Sequence, residues 1–179
     1  MSYTRIIRLL FLLILTLPLL TSCSSRQPFS YDFETEDTLD AILWECKTIF
    51  TLSDEHATSG QKCLKMELYP SSYPGITLNK FNPDWSKHTT LKFDIYNQED
   101  ISLHLTIRID DTKDPSYGNR YNHTFILVPG INYISIPLKS LYTSGTNRNI
   151  NLTDVQQMIL FLSSPEEKRV IYLDNVRLE

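Results

Sequence analysis

Residues Leu103–Asp110, LHLTIRID, alternate without a break. Leu103, Leu105, Ile107 and Ile109 are apolar, and His104, Thr106, Arg108 and Asp110 between them are polar. Successive side chains leave an extended backbone on opposite faces, so a period of two predicts a strand with one face in a core and one in water. The same beat recurs upstream. Leu64, Met66 and Leu68 alternate with Lys65, Glu67 and Tyr69, and Leu91, Phe93 and Ile95 alternate with Lys92, Asp94 and Tyr96. Downstream, strands are expected over residues 121–128, 132–138, 158–162 and 169–178.

All five glycines and most of the nine prolines fall between these runs, where the chain must reverse. VPGIN, residues 128–132, reads as a tight turn joining two strands. Helix signals are weak: one turn over residues 38–43, and one over 153–157 with Thr153 as its cap. Trp44 alternates with Phe50 and Leu52 and reads as core. Trp85, in NPDWS, reads as packing before a core strand. Many short strands with turn signals throughout predict an all-β fold, an antiparallel β-sandwich in one domain over residues 29–179.

The N-terminus sets the compartment. Arg5 and Arg8 precede the apolar run LLFLLILTLPLL, which is shorter than the roughly 20 residues a membrane helix requires. Residues 1–22 therefore read as a signal peptide. Leu20-Thr21-Ser22-Cys23 resembles a bacterial lipobox, which makes Cys23 the lipidated residue and 23–28 a polar tether. The expected product is exported and held to a bacterial membrane by its lipid alone, periplasmic or at the cell surface. In a Gram-negative cell Ser24 points to the outer membrane.

Removing residues 1–22 takes away two arginines and no acids, so the net charge moves from −4 to −6. An acidic exported domain lacks the basic footprint that nucleic acid requires. Cys46 and Cys63 enter an oxidising compartment, where a disulfide and two free thiols are both admissible.

The loop after LHLTIRID carries the most polar chemistry: DDTKDPSYGNRYN, residues 110–122. Its acid density suggests calcium, but an EF-hand needs oxygen ligands at positions 1, 3 and 5 and glycine at 6. Counted from Asp110 the sixth residue is Pro115, and counted from Asp111 the third is Lys113, so that reading fails. No GxSxG, HExxH, P-loop or dinucleotide fingerprint occurs, and the four histidines show no metal-ligand spacing. Asp110 and Asp111 are adjacent, which on a strand aims them apart and rules them out as a glycosidase pair.

Binding is the stronger expectation. A sugar site needs aromatic faces for the ring and planar polar groups for its hydroxyls. Outward positions on the two strands before the loop supply Tyr96, His104, Arg108 and Asp110. The loop and the strand after it add Tyr117, Arg120, Tyr121 and Asn122. The same set also reads as the ordinary wet face of a sandwich, with Arg108 and Asp110 in a surface ion pair.

YDFETED, SGQKCLKMEL, DWSKHTTLKFDIYN, LVPGINYISIPL and VIYLDNVRLE, in that order, resemble jelly-roll carbohydrate-binding modules of the galactose-binding-domain-like superfamily. They are similar in particular to the branch with the complex I intermediate-associated protein domain. The resemblance runs from about Phe29 to Leu178 and marks the fold better than the ligand. It implies a β-sandwich with one concave face that binds a glycan without catalysis. It also implies a structural calcium tying the chain ends through Glu34, the backbone around Gly60, and Asp174. The family's relatives in complex assembly make an envelope protein the alternative partner. A small glycoside hydrolase is the remote alternative.

Overall fold

A computed structural model describes residues 29–179; the signal, the lipobox and Cys23 lie outside the described residues. Its strands are β1 (Ser30–Tyr31), β2 (Ile42–Glu45), β3 (Thr48–Ser53), β4 (Cys63–Leu68), β5 (Gly75–Leu78), β6 (Thr90–Asn97), β7 (Leu103–Asp110), β8 (Tyr121–Leu127), β9 (Gly130–Pro137), β10 (Gln157–Leu162) and β11 (Arg169–Leu178). They form two antiparallel sheets. The first has the order β3-β4-β11-β6-β9, with β1 also paired to β11, and the second has the order β2-β5-β10-β7-β8. The predicted β-sandwich is the observed one.

The alternation places the core. Leu64, Met66, Leu68, Leu91, Phe93, Ile95, Ile171 and Leu173 from the first sheet meet Ile76, Leu78, Leu105, Ile107, Ile109, Met158 and Leu160 from the second, all fully buried. Each such side chain contributes roughly 1.5–3 kcal/mol by leaving water. Trp85 packs at one end of this core against Phe29 and Phe81, with ring centroids 5.1 and 5.5 Å apart.

Several local expectations change. VPGIN does join two strands, but β8 belongs to the second sheet and β9 to the first, so it is an arch between sheets. Asn132 holds it: its side-chain oxygen accepts the Val128 N–H at 2.9 Å, and its amide donates to the Val128 and Gly130 carbonyls. The turn near residues 38–43 is a 3-10 helix over Glu36–Ala41 that runs straight into β2. No helix forms over 153–157; there the Asn151 side chain accepts both the N–H and the hydroxyl of Thr153 and closes a turn.

Trp44 is not core. β2 is the outermost strand of its sheet, so the indole spills past the sandwich edge and is 66% exposed. Cys46 and Cys63 are both free thiols, at opposite ends of the β3–β4 hairpin. Burial, reinforced by the Asp174 and Glu55 carboxylates, pushes the Cys63 thiol up to about 12.

Candidate functional site

The outward face of the second sheet carries Arg108 and Asn122 of the expected ligand residues. Register sets Asn122, Arg108, Ile159, Thr77 and Leu43 side by side across the five strands, and Thr124, Thr106, Phe161, Gly75 and Glu45 in the neighbouring row. Tyr73, from the β4–β5 loop, and Tyr117 and Arg120, from the β7–β8 loop, stand around this floor. Together they enclose a cleft of about 460 Å³. Gly75 lets β5 lie close against β10, because a Cβ there would meet the Leu160 carbonyl oxygen at 2.0 Å.

The polar groups are held in defined positions. Arg108 donates from Nε to Asp110 Oδ1 at 2.9 Å and from a second nitrogen to Oδ2. Asp110 is fully buried and also accepts Gln157 Nε2 at 2.7 Å. The pair is therefore a buried clamp and not the surface ion pair expected. It spends two of the five guanidinium N–H groups and fixes the plane of the rest. On the next row Glu45 Oε1 accepts the Thr77 hydroxyl at 2.6 Å, and the Thr106 and Thr124 hydroxyls meet at 2.9 Å.

The β7–β8 loop is braced from behind. Asp111 receives both terminal nitrogens of Arg148, at 2.6 and 2.8 Å, and the Asn151 N–H at 2.6 Å. Burial pushes the Asp111 carboxyl up, but Arg148 and the Asn151 N–H outweigh it and hold the group below its ordinary value. Gly118 and Gly145 touch backbone to backbone, where a Cβ on Gly145 would lie 2.6 Å from the Gly118 Cα. The Gly145 and Thr146 N–H groups both donate to the Gly118 carbonyl at 3.0 Å. Thus propped, a short 3-10 turn over Tyr117–Asn119 presents Tyr117 to solvent, 75% exposed.

The eight expected ligand residues divide. Arg108, Tyr117, Arg120 and Asn122 line one cleft. Asp110 lies beneath it, sealed by Arg108 and Gln157. His104 is on the same face but two residues beyond, beside Ile126 and outside the lining. Tyr121 pairs with Ile109 and points into the core, where burial raises its phenol above the ordinary value. Tyr96 is on the other sheet altogether, under His56 with ring centroids 3.6 Å apart. Adjacent strand residues face opposite ways, so Tyr121 and Asn122 never shared a face.

Sequence reasoning missed Glu45, Tyr73 and Phe161. Phe161 carried a signal, since it falls out of phase with the inward Met158, Leu160 and Leu162. Glu45 and Tyr73 carried none, because their proximity depends on the order β2-β5-β10. Among the described residues lining the cleft Glu45 is the sole carboxylate.

The calcium expectation falls on the other side of the molecule. Glu34 Oε1 accepts the N–H groups of Gln61 and Lys62 at 2.9 and 3.1 Å. Asp174 Oδ2 accepts those of Thr58 and Ser59 at 2.6 and 2.9 Å, and its Oδ1 accepts that of Asn175. Glu34 and Asp174 are each bonded to the loop that carries Gly60, Glu34 at Gln61 and Lys62 and Asp174 at Thr58 and Ser59. The donor set suits calcium in its hard oxygens. In this arrangement, however, N–H groups occupy Asp174 on both oxygens and Glu34 on one. No group of three or more His, Cys, Asp or Glu among the described residues forms a metal cluster.

No family model matches the chain, and no curated protein matches it. Solved structures do. An exo-β-agarase is 17% identical over 83% of this chain, with a TM-score of 0.64. A family 11 carbohydrate-binding module from Clostridium thermocellum, in complex with a β-1,3-1,4-mixed-linked tetrasaccharide, is 13% identical over 76% of this chain and 86% of its own length, with a TM-score of 0.56. The CBM22-1 xylan-binding domain from Paenibacillus barcinonensis Xyn10C is 13% identical over 83% of this chain and 92% of its own, with a TM-score of 0.51. The chain spans only 25% of the length of the agarase. The fold is that of carbohydrate-binding jelly rolls.

Proposed function

We propose that this chain is a non-catalytic carbohydrate-binding β-sandwich, displayed on a bacterial envelope through a lipid on Cys23. The observation that carries the reading is the cleft on the second sheet. It combines exposed aromatic rings, Tyr117 and Tyr73, with fixed planar donors, Arg108, Arg120 and Asn122. That combination suits a ring with an apolar face and a hydroxyl-bearing rim. The fold shared with modules described as binding mixed-linked glucan and xylan points the same way.

The non-catalytic part rests on the lining. Glycoside hydrolysis uses two carboxyl groups flanking the bond. Here Glu45 is already engaged by Thr77, and Asp110 is sealed under Arg108. Titration of the protein with agaro-, xylo- and mixed-linkage gluco-oligosaccharides tests the reading. Tyr117→Ala and Arg120→Ala are each expected to weaken binding roughly tenfold; undiminished binding in both removes this cleft as the site.

Calcium is a separate proposal, held by Glu34 and Asp174 and pinning the two chain ends. Burial pushes the Asp174 carboxyl above its ordinary value despite the Ser59, Thr58 and Asn175 N–H groups around it. A buried carboxylate in that state gains from a nearby cation. An envelope protein as partner is the second reading. It rests on a different place, the exposed Ile126, Val128 and Ile131 around the arch between β8 and β9.

A further inference from the structure

The cleft shares a lining residue with a second groove. Cys46 lines the cleft at the β2 end, and Cys46 also lines this groove, of about 610 Å³, on the flank of the sandwich. That groove is walled by Trp44, Ile49, Tyr69 and Pro70. Trp44 is in register with inward-facing Ile76, yet β2 is an edge strand, so the indole has no second sheet to pack on and lies open to water. Ile49 in the same groove is also exposed, at 53%, so the indole is part of a contiguous apolar patch and not a lone surface residue.

We infer that the two grooves are one track, and that a linear polysaccharide crossing the second sheet continues over the Cys46 turn onto Trp44. The inference rests on the carbohydrate reading of the cleft and extends it. Direction supports it. The cleft runs across the strands from Asn122 on β8 to Glu45 on β2, and the flank groove begins where that line leaves the sheet. Four strand spacings of about 4.8 Å make the crossing roughly 19 Å, long enough for a chain of several sugars and too long for a single ring.

Chemistry supports it as well. The cleft is polar and selects, through Arg108, Arg120 and Asn122. The flank groove is apolar and has an indole face to stack on the ring of the next sugar. The ligand class is therefore an extended polymer, gripped at one end by donors and at the other by Trp44, and not a terminal sugar or a disaccharide.

The test is a length series. Oligosaccharides of whichever agaro-, xylo- or mixed-linkage series binds, from disaccharide to octasaccharide, are titrated against wild type, Trp44→Ala and Trp44→Phe. Trp44→Ala is expected to leave short oligosaccharides unaffected and to weaken long ones roughly three- to tenfold, with Trp44→Phe restoring most of the loss. Fluorescence gives an independent readout. The chain has two tryptophans, and Trp85 is fully buried, so quenching by iodide reports on Trp44. Long ligands are expected to shield it and short ones to leave it quenched.

Equal effects of Trp44→Ala at every length, or none at any, overturn the track while leaving the cleft in place. Absence of binding by wild type across the whole panel overturns both. Trp44 is on the surface, so its replacement leaves the fold intact.

Discussion

The outward faces of the two sheets are built from the same kinds of residue and end in opposite states. On the second sheet, Arg108, Asn122 and Phe161 are left under an open cleft. On the first, the loop over residues 54–62 lies down across the strands. His56 stacks flat on Tyr96, and the Tyr172 hydroxyl reaches Glu55 and Gln98, each at 2.9 Å. Thr58 and Ser59 seat their N–H groups on Asp174, and the Thr58 hydroxyl reaches Asp94 at 2.7 Å. His56 holds a φ of 63° to do so, a conformation that a non-glycine residue keeps when its surroundings fix it. The loop covers the β6–β11 part of the first face, leaving Tyr133 on β9 exposed, whereas the second face keeps Arg108 and Asn122 in the lining of an open cleft. Strand alternation says which residues leave the core; the loops decide which of them a ligand can reach.

The difference is easiest to break at the brace that keeps the second face open. Arg148→Ala leaves the Asp111 carboxylate buried without its guanidinium. Asp111 is buried but Arg148 is 37% exposed, so water screens the pair in part and the loss is expected at about 2 kcal/mol, which for a domain of this size lowers Tm by roughly 4–8 °C. Because Arg148 holds Asp111 below its ordinary value, wild type has the extra stability above the usual carboxylate range and loses it as pH falls through the lowered value. The variant is expected to lose that part of the acid dependence. A melt within about 0.5 kcal/mol of wild type would show that the Gly118–Gly145 contact holds the loop unaided.

A smaller effect sharpens the contrast directly. Tyr96→Ala removes the His56 stack and is expected to cost about 1 kcal/mol of stability with glycan affinity unchanged. Tyr117→Ala is expected to do the reverse, with stability within about 0.5 kcal/mol of wild type and affinity down roughly tenfold. Thermal melts and titrations on the two variants settle it: loss of binding in Tyr96→Ala would move the site to the first sheet.

What was legible follows from the range of the interactions. LHLTIRID and the run from Arg169 to Leu178 are strands with the expected bounds, since their alternation is local and regular. β5 was not legible, because GITL is buried at all four positions and shows no polar beat. β2 was obscured by Trp44, whose exposure depends on being last in its sheet. The four expected residues that share the cleft come from one hairpin, within 14 positions of one another, so the sequence already held them together. Glu45, Tyr73 and Phe161 reach it through pairings between distant strands, and Tyr96 leaves it because β6 belongs to the other sheet.

The covered face has its own weak point at the Glu34–Asp174 end. There the loop is pinned by N–H groups on two carboxylates, and Gly60 fits because a Cβ would meet Glu34 Oε1 at 2.1 Å. Calcium bound there has to displace hydrogen bonds that already do much of the same work. The expected gain is accordingly the smallest of these effects, below about 1 kcal/mol, or roughly 2–4 °C between calcium and a chelator. Glu34→Gln keeps an oxygen that can accept the Gln61 and Lys62 N–H groups but removes the charge, so it is expected to abolish the calcium increment while lowering the chelated melt little. A chelated wild-type melt equal to the calcium melt would mean that the hydrogen bonds alone close this face. The covered part of that sheet would then owe its state to its loop.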